Sequence, residues 1–379
     1  MSFNLLRNSR MFFTTNVDSA TGVVGTTGFT TANTFEIQVL DGLAFSQSTT
    51  SETVTINEAG STPVRGQRSF NTALEPVDFS FSTYIRPADG GTNITAEEGV
   101  LWNALLSNTA IGGANAAWTE APAVATAVAT YSNVNQLQKF GLIIDVDGVS
   151  YIIDNCALDS ATLDFGLDAI AMVQWAGKGT KMRSITGLTL VTAGSTVTFG
   201  GGTYTGTAKA KNATAPYIAN KLSTISVKSG IGGTGTSYTL AITGGSLTIS
   251  NNLTYLTPAN LGIVNQPITY FTGTRAISGN VTAYLRSGAT NTQGLLNDML
   301  TASTTDVNPA YEIVIAMGGS TSATRVELEL NSAVLQIPTV ETEQVVSTTI
   351  NFTAQSSTAG AFDIAAANEL EVRYYTSNV

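Results

Sequence analysis

Histidine is absent from this 379-residue chain, and cysteine occurs once, as Cys156. Within one chain this excludes the common zinc sites, Ser-His-Asp hydrolysis, Cys-His catalysis and any disulfide. Charge is scarce too. Asp, Glu, Lys and Arg make up 12% of residues, against roughly 25% in ordinary soluble domains. What charge there is leans acidic, 27 against 17, for a formal net charge of −10. Such a chain is poorly suited to wrapping duplex DNA through phosphate contacts. Long apolar runs are missing as well, so no membrane-spanning helix or anchor is expected. The opening stretch, residues 1–16, has two Arg and only brief apolar pairs, unlike the apolar core of a signal peptide.

Hydrophobic residues reach 43%, enough for sizeable cores, in a chain of two-domain length. A surface this poor in Lys and Glu fits extensive subunit contacts, since interfaces are depleted in those residues. It equally fits an ordinary Thr-rich β-protein. Alternation of apolar and polar residues recurs along the chain. Phe35–Leu40 alternates into Asp41-Gly42, a hairpin-turn signal, and Leu142–Val146, Asp147-Gly148 and Val149–Ile153 read as a second hairpin. Val326–Leu330 and Glu369–Tyr374 alternate likewise. Helical signals are few. Thr95–Leu106 has a capping Thr95 with Glu98 three residues on, and Thr292–Leu300 is the second candidate. The class is mainly β, with one short helix in each half.

The halves resemble each other. Phe81–Arg86 matches Val281–Arg286, each followed by a Gly/Thr/Asn loop and a helix. Leu101–Leu106 matches Leu295–Leu300, and Asn155-Cys156-Ala157 matches Asn331-Ser332-Ala333. Val173–Ala176 aligns with Ile350–Thr353, and Phe35–Val39 with Tyr238–Ile242. Five collinear matches predict a tandem duplication: a first domain over 1–185, a Gly/Thr/Lys-rich connection or hairpin arm over 186–215, and a second domain over 216–379.

Chemistry-bearing motifs are thin. Gly230–Gly235 looks like a phosphate loop, but a strand pattern, not a helix, follows it, so it reads as a hairpin loop. Asp145, Asp147, Asp154 and Asp159 gather around one hairpin without the spacing of a calcium loop, and Asp147 is a turn residue. Cys156 reads as a small buried hydrophobe, and Trp102 and Trp175 as core. No catalytic residue, metal site or cofactor is assigned. Two features recur as candidate sites. Tyr84/Arg86 and Tyr284/Arg286 occupy the same place in both halves; i and i+2 on a strand share a face, and an Arg there suits a subunit-interface anchor. Glu327 and Glu329 share one strand face opposite Val326 and Leu328, and with Asp145 and Asp154 they are the candidates for an acidic face.

The order of features also resembles a family. Asn4–Phe13, Thr55–Gly60, Arg65–Asn71, Phe79–Pro87 and Leu101–Leu105 together look like the tail tube protein of tailed bacteriophages, most closely over residues 1–180 and more loosely over 216–379. That resemblance implies a β-sandwich or barrel flanked by one helix in each domain, stacked in rings around a channel for DNA, with no catalytic residue. It implies a virion protein made in the host cytoplasm. Its partners would be copies of itself, other tail proteins (a sheath or terminator, and a tape measure inside the tube) and double-stranded DNA in transit without specific binding. Two domains per chain predict three copies per pseudo-hexameric ring in place of six single-domain chains. An acidic lumen at Glu327, Glu329, Asp145 and Asp154 would repel phosphate, and the long stretches 41–68 and 187–212 would meet the next ring. Other tail ring components, an adhesin using Trp102, Trp118 and Tyr side chains, and a carboxylate-based hydrolase are the alternatives.

Overall fold

The computed structural model describes residues 8–54, 67–89, 94–106, 127–130, 137–307, 309–318, 324–338, 340–341, 346–358, 361–362 and 368–375. The first part of the chain forms Ser9–Thr14 (β1), Thr34–Ile37 (β2), Ala44–Ser46 (β3), the hairpin Thr49–Val54 (β4) and Arg68–Leu74 (β5), then Val77–Tyr84 (β6). A short ribbon, Pro87–Asp89 (β7) and Ile94–Ala96 (β8), leads to the helix Gly99–Leu106 (α1). Ala127–Thr130 (β9), Phe140–Val146 (β10), Val149–Asp164 (β11), Met172–Gly179 (β12) and Lys181–Ile185 (β13) follow. Thr189–Ala193 (β14), Thr196–Gly200 (β15) and Gly206–Lys209 (β16) fill the middle. The remainder forms Thr224–Ser229 (β17), Ser237–Thr239 (β18), Ala241–Ser250 (β19), the hairpin Thr254–Leu256 (β20) and Thr269–Phe271 (β21), Ala276–Tyr284 (β22) and the helix Thr292–Thr305 (α2). Tyr311–Gly318 (β23), Arg325–Leu335 (β24), Val340–Glu341 (β25), Ser347–Ala354 (β26), the ribbon Ser357–Thr358 (β27) and Ala361–Phe362 (β28), and Glu371–Tyr375 (β29) complete it.

Two antiparallel ladders run in the same order. In the first, β6 pairs β12, β12 pairs the later part of β11, the earlier part of β11 pairs β10 and β13, and β10 leads through β1 to β2. In the second, β22 pairs β26, β26 pairs the end of β24, the start of β24 pairs β23 and β29, and β23 leads through β17 to β18. β11 serves two sheets because it bends: Asn155 sits at φ 48 and the register slips between Leu158 and Ser160. β10 and β11 turn through Asp147 and Gly148, both at positive φ, as an Asp-Gly hairpin requires.

Alternation on the strands sends one face into the main core. Val77, Phe79 and Phe81 of β6, Val173 and Trp175 of β12, and Leu247 and Ile249 of β19 are all buried there. All eight residues of α1 are buried, and Trp102 meets Trp175 edge to face with ring centroids 4.9 Å apart. Each ladder needs one glycine for its phenylalanine. A Cβ on Gly177 would lie 2.5 Å from the Phe79 ring, and one on Gly279 would lie 2.4 Å from the Phe352 ring. A smaller core forms where β15 and β16 fold back over β1, β10 and β11, with Phe12 against Phe199 at 5.0 Å. The middle segment is therefore a three-stranded meander that rejoins β2 at Lys209 opposite Phe35.

Two local expectations change. Asp41-Gly42 does not close a hairpin, because β2 pairs β1 and β3 pairs β6, at opposite ends of the first ladder; the chain crosses over there, with the Leu40 amide donating to the Ser82 carbonyl. The first helix begins at Gly99, not near Thr95, because residues 94–96 form β8.

Candidate functional site: a polar sheet face and two open edges

Eight strand segments lie side by side in the order β3, β6, β12, later β11, β19, β22, β26 and the end of β24 with β25. One face is the core. Across the middle six strands the other carries Ser80, Ser82, Gln174, Ser160, Thr162, Ser246, Thr248, Ser278, Asn280, Thr282, Thr349, Asn351 and Thr353, all exposed or half-buried. These groups bond one another across strands: Asn280 Nδ2 donates to Ser246 Oγ at 2.9 Å, and the Thr282 and Thr349 hydroxyls meet at 3.0 Å. The charge on this face is sparse, with Asp78 paired to Lys178 at 2.7 Å and Asp164 exposed. The carpet of hydroxyls was written in the Ser/Thr alternation of β6, β19, β22 and β26, but alternation alone does not say that the strands are neighbours.

Within this sheet the two ladders join where β11 meets β19, over five residue pairs from Ser160 opposite Ser250 to Asp164 opposite Ser246. The junction is heavily buttressed. Asn251 Nδ2 donates to the Leu105 and Leu158 carbonyls at 3.0 and 3.2 Å, and the Leu253 amide donates to Asp159 Oδ1 at 2.8 Å. The β20–β21 hairpin seats Tyr270 with its hydroxyl donating to the Leu137 carbonyl at 2.6 Å. At the two ends of the sheet, β3 and the β24–β25 run have no strand on their outer side among the described residues. Unpaired edges of this kind are templates for another chain.

The paired Tyr-x-Arg sites differ sharply. Arg86 is 3% exposed. Its Nε and Nη2 donate to the Ala215 carbonyl at 3.2 and 2.8 Å, its Nη1 donates to Gln38 Oε1 at 2.5 Å, and its guanidinium lies 4.6 Å over the Tyr217 ring. Tyr84 meets Tyr217 edge to face at 5.2 Å. The chain's own connection ahead of β17 thus occupies the first site. In the second, Tyr284, Leu285 and Arg286 are exposed. Beside Arg86 lies a fully buried carboxyl, Glu98, that spacing marked only as a helix-capping acid. Glu98 Oε1 accepts from the Arg86 amide at 2.9 Å and the Tyr374 hydroxyl at 2.7 Å, while Trp102 Nε1 donates to Tyr374 at 2.9 Å. Burial pushes the Glu98 carboxyl up to about 7.

The four candidate acidic-face residues do not form an open acidic face. Asp145 is buried and accepts from Ser150 Oγ at 2.5 Å. Asp154 is buried, takes both Arg183 Nε and Nη2 at 2.6 and 2.8 Å, and accepts from the Val24 amide. Glu327 pairs with Arg325 at 2.9 Å, and Glu329 pairs with Arg373 while burial raises its carboxyl. None lies on the hydroxyl face. For Asp154 and Glu329 short-range spacing could not show this, because Arg183 and Arg373 approach from β13 and β29, far along the chain. Gly230–Gly235 is a loop between β17 and β18 in which a Cβ on Gly233 would lie 2.6 Å from the Glu312 carboxylate, an unsuitable neighbour for phosphate. Burial raises the Cys156 thiol well above its ordinary range. Among the described residues no group of three or more acidic, Cys or His side chains is placed to hold a metal, and no helix is long and apolar enough to cross a membrane. Trp118 and residues 1–7, 55–66, 90–93 and 107–126 lie outside the described residues.

No protein-family model matches the sequence. The tail tube protein pb6 of Escherichia phage T5 is 32% identical to it over 368 residues, which span 96% of this chain and 75% of that protein. The mainly β architecture agrees with that likeness. The chain belongs to the phage tail tube proteins, structural components of the virion.

Proposed function

We propose that three copies of this chain close into a ring by repeating, between chains, the junction that β11 and β19 make within one, and that stacked rings form the tube through which DNA passes. The carrying observation is the match between a filled junction and two empty edges. The pairing registers superpose β6 on β22 at Tyr84 and Tyr284, β3 on β19, and β11 with β12 on β24 with β25 and β26. On that superposition the outer edge of Ala44–Ser48 stands where β19 stands, and Ile337–Glu341 stands where Ser160–Asp164 stands. Edge-to-edge pairing of those two stretches removes both open edges. The helices agree. α1, at the filled junction, is buried throughout, while α2, at the empty one, buries only Thr292, Leu295 and Met299 of its 14 residues and leaves Leu300 52% exposed. The same registers support a tandem duplication, with residues 9–185 and 224–375 as its two units and the β14–β16 meander carried by the first.

Closing eight segments from each of three chains gives a barrel of about 24 strands, roughly 45 Å between opposite backbones at ordinary spacing and tilt. The hydroxyl face points inward, because the other face carries the helices and the second sheet and needs the larger radius. A lining of Ser, Thr and Asn offers DNA no array of cations to exchange for its counterions, so the strand slides without being gripped. The lining is polar and nearly neutral, not acidic. No reaction is assigned; the chain's role is structural. Ring-to-ring contacts fall to the loops at the rims, including the β4–β5 hairpin and the β14–β16 meander, and other tail proteins cap the stack. Electron microscopy of the purified protein tests the reading: rings or tubes are expected, and compact monomers at every concentration would overturn it.

A further inference from the structure

The geometry points to a docking site for the residues ahead of β1 of a second copy, on Tyr284, Leu285 and Arg286. This rests on the ring reading and names the partner segment at its empty junction. Both ladders carry the same bulge, between Phe140 and Leu142 and between Tyr311 and Ile313. That bulge sets Thr14, opposite Gly141, level with Lys228, opposite Glu312. Counted back in sequence from there, position 215 corresponds to position 1, Tyr217 to Phe3 and Lys221 to Arg7.

Within the chain, the segment ahead of β17 crosses the filled junction and holds the first ladder. Its Ala215 carbonyl takes the Arg86 guanidinium, its Tyr217 ring lies under that guanidinium and against Tyr84, and its Ile218 carbonyl accepts from the Ala171 amide. Lys221 pairs with Asp168 at 3.3 Å. At the empty junction the receiving side chains wait uncovered. Ile85 is 0% exposed and Arg86 3%, whereas Leu285 is 37% and Tyr284 43% exposed, and no hydrogen bond or ion pair of the Arg286 side chain is present among the described residues. The segment ahead of β1, which lies outside the described residues, brings an aromatic and a base at the matching positions, Phe3 and Arg7. A main-chain carbonyl at position 1 and the Phe3 ring would engage Arg286 as Ala215 and Tyr217 engage Arg86, through charge-assisted bonds and cation–π stacking.

The test is photo-crosslinking in assembled full-length protein carrying Phe3→p-benzoylphenylalanine, made from equal amounts of 15N-labelled and unlabelled chains. The expected product joins position 3 of one chain to the peptide containing Tyr284–Arg286 of another, with mixed-isotope pairs. Arg286→Ala should raise the critical concentration for assembly about tenfold, and Arg286→Lys by less. Wild-type protein is run beside them by native mass measurement. If the wild type forms rings but position 3 links elsewhere or not at all, the docking proposal is overturned and the ring reading stands. If the wild type forms no ring at any concentration, both are overturned.

Discussion

Replacing Glu98 by Gln should abolish a specific part of the pH dependence of stability. The carboxyl is fully buried, and its value moves from 4.5 to about 7 on folding because burial penalises the charged form more than the Tyr374 and Arg86 amide bonds favour it, with the neighbouring Glu97 adding to the rise. Oε2 has no hydrogen-bond partner among the described residues, so one oxygen is free to hold the proton. The Arg86 guanidinium gives little relief, since it is turned to Ala215, Gln38 and Tyr217. For an acid raised on folding, the native state binds the extra proton, so its stability advantage is complete below 4.5 and is lost as pH rises through 7. A shift of about two and a half units corresponds to about 3 kcal/mol. Glu98→Gln keeps an Oε1 acceptor for both donors and carries no charge at any pH. Urea midpoints measured from pH 4.5 to 8.5 should therefore converge for the two proteins at the acid end. At the alkaline end they should diverge by up to about 3 kcal/mol in favour of the variant. Parallel curves for the two proteins would refute the reasoning.

Asp154→Asn should destabilise the chain by about 2–3 kcal/mol, less than a fully buried pair because Arg183 is partly exposed, and a urea titration reads it. Gly177→Val and Gly279→Val should each cost at least about 2 kcal/mol by thermal melting, since even a Cβ overlaps the Phe79 or Phe352 ring and the backbone behind it. Ile337→Lys, at a 54% exposed position on one open edge, should leave the urea midpoint within about 0.5 kcal/mol of wild type yet abolish assembly in sedimentation. Cys156 should resist a thiol reagent in the native protein at pH 8 and react stoichiometrically in denaturant, because the thiol is buried and its ionisation suppressed.

Local signals carried a good part of the fold. The Asp147-Gly148 turn, the alternating strands that became β10, β24 and β29, and the second helix are all set by short-range stereochemistry, and each was readable. The burial of Trp102 and Trp175 followed from pattern as well. Failures came where distant partners decide the outcome. Asp41-Gly42 has hairpin chemistry, yet β3 finds better pairing on β6 than on β2. Glu98 has the place of a capping-box acid, but Tyr374, 276 residues away, supplies its partner. Asp154 and Glu329 read as part of a solvent face because their arginines, Arg183 and Arg373, are remote in sequence. Recurrence of Tyr-x-Arg could not show that Arg86 is covered by residues 215–217 while Arg286 is exposed.

The central claim is the copy number of the ring. A symmetry-free average of an assembled tube, viewed along its axis by cryo-electron microscopy, measures it directly. Three chains per ring, with β3 of one chain paired to β25 of the next and the Ser/Thr face inward, are expected. Six chains per ring, or rings in which those two edges remain unpaired, would contradict it.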